Sequence, residues 1–235
     1  MRFMTIALIL GLASASTAQA GAWLRQKGKG FTSLSVQTTE DNGSSSSFYF
    51  EYGFRESVTL GADITYDTDL LNYVQGAGPV VQSLAELPQA SGILFARFPI
   101  GPTDRTNKWA FHVGVGARYL EAEILEAVEV GLSWGRGIQI GERYGWVNID
   151  TSYNEARSPA ETRKKLDATV GLGVTDRTKA MLQVFNTFEA GETFTKVAPS
   201  LLYKVGDKGL TLQLGSEIPT QGGDATVKIG LWWEF

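Results

Sequence analysis

The sequence predicts an all-β protein: a closed, antiparallel, up-and-down transmembrane β-barrel of about twelve strands. Three observations carry that expectation. Apolar and polar residues alternate with period two through twelve separate segments, each near the roughly 9–11 residues that a tilted strand needs to cross hydrocarbon. The connections alternate in kind, tight polar turns following longer, looser segments. Aromatic residues gather near the ends of the apolar faces, at the level where amphipathic rings meet lipid headgroups. No run in the chain is long and apolar enough for a transmembrane helix, so a membrane protein of 43% hydrophobic residues has to carry its signal in alternation.

The chain opens on a different pattern. Arg2 is a lone positive charge, Phe3 to Ala13 is apolar apart from Thr5 and Gly11, and Ala18-Gln19-Ala20 offers small residues where a signal peptidase reads them. Residues 1–20 are therefore expected to be a cleaved secretory signal. Residues 21–235 are expected to be a single barrel domain that starts Gly21-Ala22-Trp23. Losing Arg2 takes the net charge from −4 to −5.

The strands follow in order. Residues 31–38 set Leu34 and Val36 against Ser33, Ser35 and Gln37. Residues 47–54 set Phe48, Phe50, Tyr52 and Phe54 against Tyr49, Glu51 and Gly53. Residues 57–67 set Val58, Leu60, Ala62, Ile64 and Tyr66 against Thr59, Gly61, Asp63, Thr65 and Asp67. The fourth segment, 89–100, is less clean, with Leu94, Ala96 and Phe98 opposing Ile93, Phe95 and Arg97. In 108–119, Trp109, Phe111, Val113, Val115, Ala117 and Tyr119 oppose His112, Gly114, Gly116 and Arg118. The sixth, 127–140, sets Val128, Val130, Leu132 and Trp134 against Glu129, Gly131, Ser133 and Gly135; residues 122–130 also admit one or two helical turns.

In the second half, 145–154 sets Val147, Ile149, Thr151 and Tyr153 against Asn148, Asp150, Ser152 and Asn154. Residues 165–174 set Leu166, Ala168, Val170, Leu172 and Val174 against Asp167, Thr169, Gly171 and Gly173. The phase of 179–188 is open, because Met181 and Phe185 compete with Leu182 and Val184. Residues 195–204 face Val197, Leu201 and Tyr203 one way, and 209–218 carry Leu210, Leu212 and Leu214 in phase. The last segment, 225–235, sets Val227, Ile229, Leu231, Trp233 and Phe235 against Thr226, Lys228, Gly230 and Glu234.

A soluble β-sandwich also alternates, so the connections and rings have to discriminate. Residues 53–57, 141–144, 174–178 and 205–209 are tight polar turns, whereas 39–46 and 68–88 are long. Short turns on one rim and long loops on the other are the habit of membrane barrels. Trp109 and Tyr119 bracket one strand, and Trp134, Tyr153, Tyr203 and Trp233 take similar places, giving two girdles. The chain then ends Trp232-Trp233-Glu234-Phe235, with apolar residues at alternate positions back to Val227. That ending resembles the terminal signature of Gram-negative outer-membrane proteins. The resemblance implies an outer-membrane location, lipid around the barrel, and an assembly machinery that reads the strand ending in Phe235. The stretch Tyr52-Gly53-Phe54-Arg55-Glu56-Ser57-Val58-Thr59-Leu60 also resembles uncharacterised twelve-strand outer-membrane families, some connected with uptake of aromatic compounds, and it carries no site residues.

If the apolar faces meet lipid, the lumen is lined by Glu51, Asp63, Arg97, His112, Arg118, Glu129, Asp150, Asp167, Lys196 and Lys228. Eight strands are filled by side chains and sixteen leave a wide channel. Twelve lie between, so two readings stand: a narrow passive channel for small solutes, or a barrel plugged by its own salt-bridged wall. Arg118 and Glu129 are expected to face each other across the fifth and sixth strands, and Asp150 and Asp167 are expected to be neighbours. The loop 68–88, with Leu70, Leu71, Tyr73, Val74, Val80, Val81 and Leu84 and little charge, is expected to fold over or into the mouth, the alternative being that the third and fourth strands simply extend above the membrane.

Other classes fit less well. His112 is the one histidine. An outer-membrane lipase pattern wants serine two residues after it, but Gly114 stands there, and alternation points His112 inward. No catalytic residue is assigned; a lipid-modifying enzyme and a soluble secreted β-protein remain alternatives. With no cysteine and no ligand-spaced carboxylates, neither a metal nor a cofactor is expected. Nucleic acid is not expected either, since no basic block is present.

Overall fold

A computed structural model describes residues 21–39, 44–68, 89–120, 123–156 and 162–235. The expected signal segment and loop 68–88, apart from Thr68, lie outside them. Twelve strands form: β1 (Gly30–Thr38), β2 (Ser44–Arg55), β3 (Val58–Thr68), β4 (Gln89–Pro99), β5 (Asn107–Leu120), β6 (Glu123–Ile140), β7 (Arg143–Ala156), β8 (Arg163–Gly173), β9 (Thr178–Glu189), β10 (Glu192–Val205), β11 (Leu210–Pro219) and β12 (Thr226–Glu234). Each pairs antiparallel with its neighbours in sequence, and β1 pairs with β12, closing the sheet into an up-and-down barrel.

Closure is made by backbone. β1 and β12 run in register from Phe31 opposite Glu234 to Thr38 opposite Val227. The Gly30 amide donates to the Phe235 carbonyl at 2.8 Å, and the Phe235 amide donates to the Gly30 carbonyl at 3.0 Å. The Phe235 ring lies over Gly30 and stacks on Phe50, with centroids 6.4 Å apart. A side chain at position 30 would meet that ring at 2.2 Å from its Cβ, so the seam closes on a glycine.

The alternation resolves as expected. Leu34, Val36, Phe48, Leu60, Ile64, Leu94, Val113, Val115, Val128, Val130, Leu182, Leu201, Leu214 and Ile229 all point outwards and are exposed. The open phase of β9 settles with Met181 buried inside and Leu182 outside. The helical option near residue 122 is overruled: β6 starts at Glu123 and pairs with β5 from its first residue. Apolar rings ring both rims of the outer surface. Trp109 and Trp134, Phe98 and Phe111, and Trp233 and Phe235 pair at the end where the chain termini of the barrel lie, with Tyr203 nearby in level; Tyr66, Tyr119 and Tyr153 mark the other end.

The loop rule needs correction. The rim expected to carry long loops has one connection of only two residues between β5 and β6, and a second, Ala190-Gly191, between β9 and β10. The opposite rim carries a seven-residue connection between β4 and β5. β5 has 14 residues and β6 has 18, more than the roughly 9–11 that hydrocarbon requires. The hairpin itself therefore extends beyond the bilayer, where a shorter pair would need a loop. Likewise β2 begins at Ser44, inside the segment expected to be loop.

If the outward face meets lipid, a charge placed there has no counterpart. Leu94→Arg, at a mid-strand position 63% exposed on that face, is expected to lower unfolding free energy by roughly 2–4 kcal/mol. Urea unfolding in lipid vesicles measures it, and an unchanged midpoint contradicts the outward assignment.

Candidate functional site: the lumen and its N-terminal strap

Twelve strands about 4.8 Å apart, tilted roughly 40°, make a backbone cylinder roughly 24 Å across. Short side chains cannot fill that width. Two features do so here, and neither is evident from alternation.

The first is an apolar layer in the half nearer the chain termini. Trp146 of β7, Met181 of β9 and Leu202 of β10 are buried together, with Trp232 of β12 packed against them. Higher up, Ile93 and Phe95 of β4 meet Ala127 of β6 and the ring of Tyr49. The expectation of an interior of charges and glycines thus holds only in part. Several inward glycines turn out to be seats for rings. A Cβ on Gly171 would lie 2.1 Å from the Trp146 indole, and one on Gly61 would lie 2.2 Å from the Phe95 ring. Each ring lies flat against bare backbone across the pair.

The second is the segment 21–29. It leaves β1 at the rim and turns back into the barrel. Lys27 bridges Gly53 in parallel fashion, the Gly28 amide donates to the Gly53 carbonyl at 2.8 Å, and the Gly53 amide donates to the Lys29 carbonyl at 2.9 Å. A Cβ at position 53 would strike the Gln26 carbonyl at 2.0 Å, so this crossing needs glycine. Further in, the Arg25 amide donates to Thr59 Oγ1 at 2.9 Å. Trp23 lies on Gly135 of β6 and joins the apolar layer. The Ala22 amide reaches Asn148 Oδ1 of β7 at 3.4 Å, and Gly21 sits beside Asp150. In a twelve-membered ring β1 and β7 stand opposite each other, so the strap spans the lumen.

The strap is fastened by a buried charge cluster. Glu51 has no solvent exposure; its Oε1 accepts from the Tyr49 hydroxyl at 2.6 Å and from Arg97, and its Oε2 accepts from Arg25 Nε at 2.6 Å. Arg97 also donates to the Tyr49 hydroxyl at 3.1 Å, and its guanidinium lies over the Phe95 ring. Arg25 lies over Phe31. Removing water strengthens each of these contacts and makes any unmatched charge costly.

The charged residues on the inward faces do not always meet the partner expected of them. Arg118 does not face Glu129. The register puts Glu129 opposite Gly114 and Arg118 opposite Leu125. Arg118 instead reaches across to Glu189 of β9 at 2.8 Å and to Asn154 at 2.6 Å, and Arg163 shares Glu189 at 2.8 Å. Glu129 accepts from Asn154 at 3.3 Å and lies 3.2 Å from His112 Nε2. Asp150 and Asp167 are cross-strand neighbours, as expected. Lys196 and Lys228 share Glu217, at 3.5 and 3.2 Å. Asp63 faces the upper lumen with Thr65, Arg118, Arg163 and Lys165 around a polar cavity of about 30 Å³, room for about one water.

Sequence reasoning missed Arg25, Tyr49, Arg163, Glu189 and Glu217 as members of this network. Glu189 ends β9 in phase with the buried Met181, and Glu217 lies near the end of β11 in phase with the buried Gln213, so alternation could have found both. Arg25 precedes β1 altogether.

No protein-family model matches the chain, and no curated protein matches it either. Solved structures do. The KdgM porin superposes with a TM-score of 0.58 at 8% identity, covering 87% of this chain and 99% of that one. An outer membrane channel from Pseudomonas putida F1 gives 0.54 at 12% identity, covering 92% and 98%. LpxR from Salmonella typhimurium gives 0.53 at 8% identity, covering 86% and 99%. The fold is therefore that of the twelve-strand outer-membrane β-barrels, without closeness to a particular member.

Glu51 should be the hub of the inner half. Glu51→Ala removes the buried carboxylate that Arg97 and Arg25 share, and is expected to cost roughly 3–5 kcal/mol in unfolding free energy. Glu217→Ala, beside a half-exposed Lys196, should cost clearly less. Denaturant titration in detergent micelles compares the two, and equal costs contradict the hub role.

Proposed function

We propose that this protein is an outer-membrane channel of narrow bore for small polar solutes, closed at rest by its own N-terminal strap. In this reading the signal is removed after Ala20, lipid surrounds the barrel, and assembly is directed by the strand ending in Phe235. The observation that carries it is the nature of the obstruction. Above the strap the wall is polar, with Asp63, Arg118, Glu129, Arg163, Lys165 and Lys196 of both signs facing inwards. Below, the segment that crosses the lumen among the described residues is nine residues long and is tied through a few side chains and a short backbone bridge. Charged walls of mixed sign sort solutes by charge and size when water fills them. That two of the superposable structures are described as a porin and a channel supports the same reading.

A second reading has its own observation. Trp146, Met181, Leu202 and Trp232 belong to the wall, and would narrow the lumen even without the strap. On that reading the barrel is structural and passes nothing. An enzyme is less well supported although LpxR shares the fold: His112 is held by Glu129, and among the described residues no serine or threonine hydroxyl hydrogen-bonds it.

Conductance separates the readings. Deleting residues 21–28 from the mature chain should raise single-channel conductance severalfold in planar bilayers over the intact protein. If both stay silent while the deleted form still folds, shown by heat-modifiable gel migration, the plugged barrel is correct.

A further inference from the structure

The far end of the strap lies where a positive charge is needed. Gly21 is buried, has φ of +90°, and lies so near β7 that a Cβ on it would be 2.3 Å from Asp150 Oδ1 and 2.7 Å from Asn148 Nδ2. Given a Cα–Cβ bond of about 1.5 Å, its Cα is within about 4 Å of that carboxylate oxygen. Asp150 also accepts from Asn148. Directly across the strand pair stands Asp167, whose Oδ1 is buried without a hydrogen-bond partner among the described residues. Two carboxylates side by side repel unless a cation stands between or beside them. The titratable groups already near are Arg97 and His112 for Asp150 and Lys165 for Asp167, with Asp63 adding a further carboxylate. Arg97 is engaged by Glu51, and His112 by Glu129.

We propose that export processing supplies the missing cation: the α-ammonium of Gly21 seats against Asp150, with Asp167 beside it, and locks the strap into the lumen. This rests on the reading above that residues 1–20 are removed. Signal peptidase adds water across the Ala20–Gly21 amide. Ala20 leaves with a carboxylate, and Gly21 keeps the nitrogen, which takes up protons to become –NH₃⁺. Before cleavage that nitrogen is an uncharged amide with one hydrogen and cannot fill the role. The lock therefore forms only in the processed chain. It also accounts for a buried glycine at position 21, because neither the positive φ nor the space beside Asp150 admits a side chain.

The test uses the full protein purified from outer membranes. Intact mass first establishes whether the chain starts at Gly21. The folded protein is then treated briefly with an amine-acylating reagent, and acylation of Gly21 is read on the tryptic peptide Gly21–Arg25. The expected result is that Gly21 reacts about tenfold more slowly in the folded than in the heat-unfolded protein, since a carboxylate-held ammonium offers little free amine. Lys27 and Lys29, exposed at the rim, should react at similar rates in both. Asp150→Asn with Asp167→Asn should bring Gly21 to within about twofold of its unfolded rate. Gly21→Ala, which leaves both carboxylates in place, should bring the chain's N-terminal amine to within about twofold of its unfolded rate if the double variant does not fold. A different starting residue overturns the processing reading and the lock together. A chain that starts at Gly21 but reacts freely when folded, or stays protected in both variants, overturns the lock alone.

Discussion

Everything in this molecule depends on one constraint: every backbone amide in a membrane strand has to find its partner within the protein, because hydrocarbon offers none. A sheet with open edges cannot meet that condition. The seam between β1 and β12 does so, down to the reciprocal bonds between Gly30 and Phe235. The even strand number brings both ends of the sheet to the same rim. That placement leaves the residues before β1 beside the barrel mouth, free to turn inwards. The strap is thus a consequence of closure as well as an occupant of the space that closure creates.

Filling that space is a different problem from crossing the bilayer. The outward face needs only apolar groups of any shape, since lipid adapts to them. The interior must match itself. It does so with two kinds of contact, rings laid on glycines and charges gathered around carboxylate hubs. Trp146 on Gly171, Phe95 on Gly61 and Trp23 on Gly135 are three instances of the first. Glu51 between Arg97 and Arg25, Glu189 between Arg118 and Arg163, and Glu217 between Lys196 and Lys228 are three of the second. A buried hub of this kind fixes which strands face which across the lumen more than it adds net stability.

The two halves of the lumen consequently differ in character. The half near the chain termini holds the apolar layer together with the buried Glu51 cluster and is crossed by the strap. The other is polar and of mixed sign. A solute entering from the polar side would meet charge first and an aromatic floor second, so any passage depends on moving the floor or the strap. The strap holds the outer part of its course by backbone bonds to Gly53 and its inner part by Arg25, Trp23 and the neighbourhood of Asp150. These are few contacts for a segment that spans a barrel.

The sequence by itself determined the strands, the faces and the girdles, because period-two alternation is local: it relates a residue to its neighbours two places away and needs no knowledge of the rest of the chain. It placed Asp150 beside Asp167 because β7 and β8 are consecutive. It misplaced Arg118 because a four-residue slip in register between β5 and β6 carries no mark in either strand taken alone. It did not show that β5 and β6 run to 14 and 18 residues, since alternation does not say where the membrane stops. Only the tertiary structure could decide what the inward side chains touch across the barrel, with Glu189 meeting Arg118 from four strands away and Gly21 meeting Asp150 from the opposite wall. Those contacts depend on the circumference and tilt of the closed sheet, which no stretch of residues encodes separately.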